Sequence, residues 1–170
     1  MTPAAAAVSL LFTGARAACL VHLHLAPTGL SPVRDAVSAY GIGAYRRWYP
    51  AQAVCAAVAA LCLALALRHG PAVVVTLLVV FAAGRLAITQ FPMDVERAVH
   101  WLLATIAFVS IAAAAIHLKR PDYGTPALGW VMIASLVAGS LARRVAFGLA
   151  ERGFYVAMLA WLALVAARLA

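Results

Sequence analysis

Short polar breaks cut this chain into six apolar runs, each about long enough to cross a bilayer as a helix. The runs cover residues 4–26, 48–67, 72–89, 98–118, 127–144 and 147–169. A helix rises about 1.5 Å per residue, so roughly 20 residues span a hydrocarbon core about 30 Å thick. Lipid offers no hydrogen bonds to the backbone, so such runs must satisfy their own N–H and C=O groups as helices. Of the 170 residues, 66% are hydrophobic and 11% charged, and no stretch remains for a separate soluble domain. The expected fold is all-α: one integral membrane domain, residues 1–170, built as a six-helix transmembrane bundle.

The first run lacks the basic n-region of a signal peptide and is read as the first span. The net charge of +8 does not point to nucleic acid, because the basic residues lie at span ends, where Lys and Arg meet headgroups. Cys19, Cys55 and Cys62 lie inside apolar runs without metal-ligand spacing and pack as small apolar groups. The bilayer is the first partner implied, with a lipid or small molecule as a possible second.

Six spans give two membrane faces. Face A holds both termini, the turn at Arg68 and the loop with Asp122 and the helix breakers Pro121 and Gly124. Face B holds the connection 27–47, the turn 90–100 and a tight turn near Arg143 and Arg144. The other four acids, Asp35, Asp94, Glu96 and Glu151, all fall on face B. In the turn QFPMDVERAVH, Pro92 ends the incoming helix and Asp94 is placed to cap the outgoing one. Glu96 and His100, four apart, share a helical face and can pair. In the connection, Ser31-Pro32 and the spacing of Val33, Ala36, Val37 and Tyr40 predict a short interfacial helix between the first two spans. Tyr40, Tyr45, Trp48 and Tyr49 read as an aromatic belt at headgroup level, or as part of a lid over a cavity.

Arg16 stands near the middle of the first span, where a charge must face the bundle and find a partner. Residues 127–169 are so nearly used up by two crossings that Glu151 and Arg152 must lie within the last span. Arg16, Arg85, Glu151 and Arg152 are therefore the expected ligand-binding residues. Asp94, His100 and Ser38 are the candidates for catalysis at the same face, and all of these except Arg16, which lies below them, are expected to converge there. A hydrolytic zinc site would draw on His22, His24 and His100 with Asp94 and Ser38, although their spacing carries no metal-site signature. That reading would make the protein a metal-dependent lipid hydrolase. A b-type haem reading pairs His22, His24 and His100 on face B with His69 and His117 on face A. Neither group is specific enough to predict a cofactor, and the sequence leaves open whether the protein is an enzyme.

Taken in order, DAVSAYG (residues 35–41), FPMD (91–94), His100 and GLAER (148–152) make the chain resemble the membrane family called domain of unknown function 998. The resemblance covers nearly the whole chain and implies a six-helix membrane fold without implying a reaction. Its three motifs fall on face B, like the acids. Arg34, Arg46, Arg47, Arg97, Arg143, Arg144 and Arg152 on face B outnumber Arg68, Lys119, Arg120 and Arg168 on face A. The positive-inside rule alone would put face B in the cytoplasm. Several face B arginines stand beside motif acids, however, and the resemblance favours termini inside. The expectation is a cell-membrane protein with cytoplasmic termini.

Overall fold

The computed structural model describes residues 2–119, 125–142 and 145–170. Asp122, Pro121 and Gly124, and the turn expected at Arg143 and Arg144, lie outside the described residues. Six α-helices follow one another: α1 (Pro3–Leu25), α2 (Trp48–Ala66), α3 (Ala72–Ala87), α4 (Arg97–His117), α5 (Thr125–Leu141) and α6 (Phe147–Leu169). Short 3-10 helices occupy Val37–Gly41 and Ile88–Gln90. No strand occurs among the described residues. Five spans are long and apolar enough to cross a membrane, with Ile88–Gln90 prolonging α3 to Gln90. The remaining helix, α5, has 17 apolar residues, at the lower end of what a bilayer needs.

Each helix packs on the next in chain order, and α6 returns to pack on α1. The bundle is therefore a closed ring. Every helix keeps large apolar side chains on its outside, among them Leu11, Leu65, Val79, Leu102, Trp130 and Val156. In water such a surface would drive aggregation, whereas in lipid it is the solvated face. The inside is lined with small residues. Ala53, Ala56, Ala57 and Ala60 of α2 and Ala107, Ala112, Ala114 and Ala115 of α4 are all fully buried. Small side chains let helix backbones approach closely, which is how helices gain packing energy without a hydrophobic drive between them.

The approach is tightest between α4 and α5 near face A. A Cβ added at Gly129 would stand 2.6 Å from Ile116 Cγ1 and 3.0 Å from the Ala112 carbonyl oxygen. Toward face B the same two helices line a cavity.

Two local expectations need correction. The turn after α3 does not use Asp94 as a cap. The Pro92 carbonyl accepts the N–H groups of Val95 and Glu96, and α4 begins only at Arg97, with Glu96 at the cap position and no side-chain cap bond. Asp94 and Glu96 are both exposed. Glu96 forms no ion pair with His100, whose Nδ1 bonds the Phe91 carbonyl oxygen instead. The aromatic belt is also only half a belt. Trp48 is exposed, but Tyr40 and Tyr49 are buried.

The short helix between the first two spans is present, over Val37–Gly41 rather than from Ser31. Asp35 accounts for the shortening: its carboxylate accepts the Ser31 N–H at 2.6 Å and closes a turn there.

Candidate functional site

The connection between α1 and α2 is tied to the start of α6. Residues Gly148, Glu151, Arg152 and Tyr155 lie three or four apart and share one face of α6. The first N–H groups of a helix have no partner within it, and the Leu149 N–H finds one in the Val33 carbonyl at 3.0 Å. Glu151 accepts the Val37 N–H at 2.7 Å. The Arg152 guanidinium donates to the carbonyls of Asp35 and Gly148, both at 2.9 Å, and to the Tyr40 hydroxyl at 3.1 Å. Its Nε donates to His24 Nε2 at 2.6 Å. His24 can accept there because its Nδ1 proton goes to the Leu20 carbonyl, also at 2.6 Å. The start of α6 and the connection thus exchange four bonds, and Arg152 adds a fifth to His24 of α1, each across more than a hundred residues of sequence.

Directly beside this seam lies a cavity of about 300 Å³, bounded by α4, α5, α6 and the 3-10 helix. That volume falls at the lower end of small-molecule sites. Ser38, Tyr49, His100 and Glu151 form its most polar part, and the rest is mainly apolar, formed by Trp101, Phe108, Val109, Leu136 and Phe147, with Ser135 and the helix-bonded hydroxyls of Thr105 and Ser140 among them. Trp101, Thr105, Val109 and Ser140 are exposed as well as lining it, so the cavity opens sideways between α4 and α5 toward the lipid-facing surface.

His100 is the most informative wall residue. It is 2% exposed, and its ring stacks against Tyr49 with centroids 6.2 Å apart. Its Nδ1 lies 2.8 Å from the Phe91 carbonyl oxygen, which can only accept, so Nδ1 carries the proton. In the neutral ring Nε2 then keeps its lone pair. That Nε2 is buried and has no protein partner. Ser38 is occupied by a contact from its hydroxyl to the Met93 sulfur at 3.2 Å.

Behind the polar wall are two fully buried arginines. Arg85 lies beside the phenol groups of Tyr155 and Tyr49 and near Glu151, with the Phe108 ring 6.0 Å from its guanidinium carbon. None of its three guanidinium nitrogens meets a protein acceptor in hydrogen-bonding geometry. Arg16 donates through Nε to Gln52 Oε1 and through Nη1 to the Met158 sulfur, each at 3.3 Å. Its guanidinium carbon also lies 5.0 Å from the centroid of the Tyr155 ring. So Arg16 does find partners, but all are neutral. A guanidinium in mid-membrane costs roughly 2.5–3.5 kcal/mol even on permissive scales, and long, uncharged contacts offset only part of that.

Among the residues singled out from sequence, Ser38, His100 and Glu151 line one cavity. Arg85 stands behind them, and Arg152 lies on the connection side of Glu151. Arg16 lies deeper, about 14 Å along α1 from its face B end by helix rise. Asp94 stands apart, exposed on the turn. His22 is also outside, its ring tilted against Trp48 with centroids 4.3 Å apart. His69 bonds Arg68 in the exposed turn, and His117 is exposed at the end of α4. No group of three His, Cys, Asp or Glu among the described residues is arranged to hold a metal ion. Gln52 and Tyr155 belong to the buried polar set and were missed. A lone amide in the apolar run 48–67, and a tyrosine four residues after Glu151, were the signals available.

No curated protein and no solved structure matches the chain. The family model described as protein of unknown function (DUF998) matches residues 4–168, nearly the whole length, and the chain belongs to that family of multi-pass membrane proteins.

Proposed function

We propose that the protein binds one amphiphile in the cavity between α4, α5 and α6, with its headgroup against Ser38, Tyr49, His100 and Glu151. The observation that carries this reading is the buried, unpaired Nε2 of His100 in the wall of a mainly apolar cavity. A lone pair on nitrogen and the free lone pairs of a carboxylate are acceptors, so the matching headgroup donates hydrogen bonds: a hydroxyl or an ammonium. The apolar walls suit the first part of an acyl or prenyl chain, and the opening between α4 and α5 lets the remainder stay in the bilayer. In this reading the protein sits in the cell membrane with cytoplasmic termini, as the family resemblance favours, and the headgroup end of the cavity lies near the outer surface.

The test is lipid capture. Wild-type protein in mild detergent is offered photoreactive diacylglycerol (hydroxyl headgroup) or photoreactive phosphatidylethanolamine (ammonium headgroup). Saturable labelling of Trp101 or Leu136 by one of them is expected. His100→Phe keeps the ring volume and removes the acceptor, and should weaken labelling about tenfold, the worth of one good hydrogen bond. Ser135→Trp, which fills the cavity, should abolish it. Equal labelling of all three proteins would overturn the proposal.

A further inference from the structure

Tyr155 stands between two cations. Its ring faces the Arg16 guanidinium at 5.0 Å, and its phenol lies beside Arg85. The two arginines are close enough to repel one another. Neither forms an ion pair within 4 Å among the described residues. Both are 0% exposed, as is Gln52, and Tyr155 is 3% exposed. Among the described residues, Nη2 of Arg16, Nε2 of Gln52, all three guanidinium nitrogens of Arg85 and the Tyr155 hydroxyl have no protein partner in good hydrogen-bonding geometry, and the acceptors beside the arginines include the neutral phenols of Tyr155 and Tyr49. Set against them is a single carboxylate, Glu151, which faces Arg152 as well as Arg85 and already accepts the Val37 N–H. Arg16 has Arg85, Tyr155 and Tyr49 as its electrostatic neighbours, with no acid among them.

Two buried positive charges, one negative charge and a surplus of donors from α1, α2, α3 and α6 define a site short of one negative charge. We infer that the Arg16–Gln52–Arg85–Tyr155 cluster binds a small monovalent inorganic anion of halide size. One such anion neutralises the charge left over by Glu151 and accepts from donors that otherwise stay unpaired, which a low-dielectric interior penalises. The size follows from the cavities. Arg16, Gln52 and Arg85 line none of the three cavities, and only the Tyr155 edge of the cluster borders the one of about 290 Å³, so the cluster offers room for a small ion and not for a lipid headgroup. A phosphate would bring excess charge as well as excess bulk. The third cavity, of about 50 Å³, includes Tyr49, a neighbour of Arg85, but neither arginine.

The experiment uses the whole protein, purified in detergent with gluconate as the sole anion and titrated with chloride. Binding is read from the ³⁵Cl nuclear magnetic resonance linewidth and from the thermal unfolding midpoint. Saturable broadening at one ion per chain, competition by bromide and a rise in the midpoint are expected. Arg16→Gln should weaken binding at least tenfold. The exposed Arg97→Gln should leave it unchanged, as should His100→Phe, which separates this site from the amphiphile cavity. If Arg16→Gln does not fold, Tyr155→Phe keeps the ring under Arg16, removes one donor and should weaken binding about fivefold. Absence of saturable broadening in the wild type would overturn the inference. So would chloride binding that is lost in Arg97→Gln while Arg16→Gln or Tyr155→Phe retains it.

Discussion

Replacing Gly148 by alanine should detach the connection from α6. A Cβ built at Gly148 stands 2.8 Å from the Pro32 carbonyl oxygen, 2.7 Å from Arg152 Nη1 and closer still to the Asp35 carbonyl oxygen. Comfortable contact for carbon is about 3.5 Å. Two of the three obstacles are backbone and cannot rotate away, so the connection must recede by at least roughly 0.7 Å. The bonds beside that contact are short: 2.7 Å from Val37 to Glu151, 2.9 Å from Arg152 to Asp35, and 3.0 Å from Leu149 to Val33. A shift of that size carries them to about 3.4–3.7 Å, beyond good hydrogen-bonding distance. Bonds to charged groups contribute about 1.5–3 kcal/mol each. Arg152 is half-exposed, so water replaces part of its share. A loss of about 2–4 kcal/mol in detergent unfolding is expected, together with faster amide exchange at Val37 and Leu149. If Gly148→Ala unfolds within about 0.5 kcal/mol of wild type, the range of an ordinary surface change, and both amides stay protected, the connection is not docked through this glycine.

Arg16→Met should cost little in chloride-free buffer. Its neutral contacts are long, and replacing a poorly paired buried charge with an apolar chain of similar length is commonly neutral or stabilising by about 1–4 kcal/mol. A loss above about 3 kcal/mol would mean that the guanidinium holds the bundle together. For orientation, a reporter fused after Ala170 should be active only in the cytoplasm, and activity outside would invert the assignment of the two faces.

The architecture was legible because one physical constraint, the length of an apolar helix against the thickness of a bilayer, acts on every run independently. The boundaries 4–26, 48–67 and 147–169 differ from Pro3–Leu25, Trp48–Ala66 and Phe147–Leu169 by no more than a residue at either end. The site was legible only as a face. Counting acids placed Asp94 and Glu151 together on face B, but a count carries no angular information. Asp94 lies in the non-helical turn between Pro92 and Arg97, exposed, whereas Glu151 lies on the inward face of α6. Tyr40 and Tyr49 were read as belt residues by composition. Their burial follows from Arg152 and the closed turn at Asp35, which draw the connection inward, and these are contacts between segments far apart in sequence.

The same long-range seam explains why a polar part and a lateral opening occur in one cavity. Gly129 lets α4 and α5 approach closely near face A, while toward face B both helices line the cavity. Space left between two helices would normally be filled by lipid or by side chains. On the outer side here it is bounded by apolar residues such as Trp101 and Val109. On the inner side it meets α6, whose first turns carry Glu151 because the connection provides a backbone N–H to hold that carboxylate in place. Without the Val37 bond, Glu151 would be a buried acid with no hydrogen-bond donor among the described residues. With it, the carboxylate has one satisfied oxygen and further lone pairs directed at the cavity. The polarity of the site is thus a consequence of how the connection caps α6, and its shape a consequence of where α4 and α5 meet. A change at Gly148 acts on the first, a change at Gly129 on the second, and neither residue touches the cavity itself.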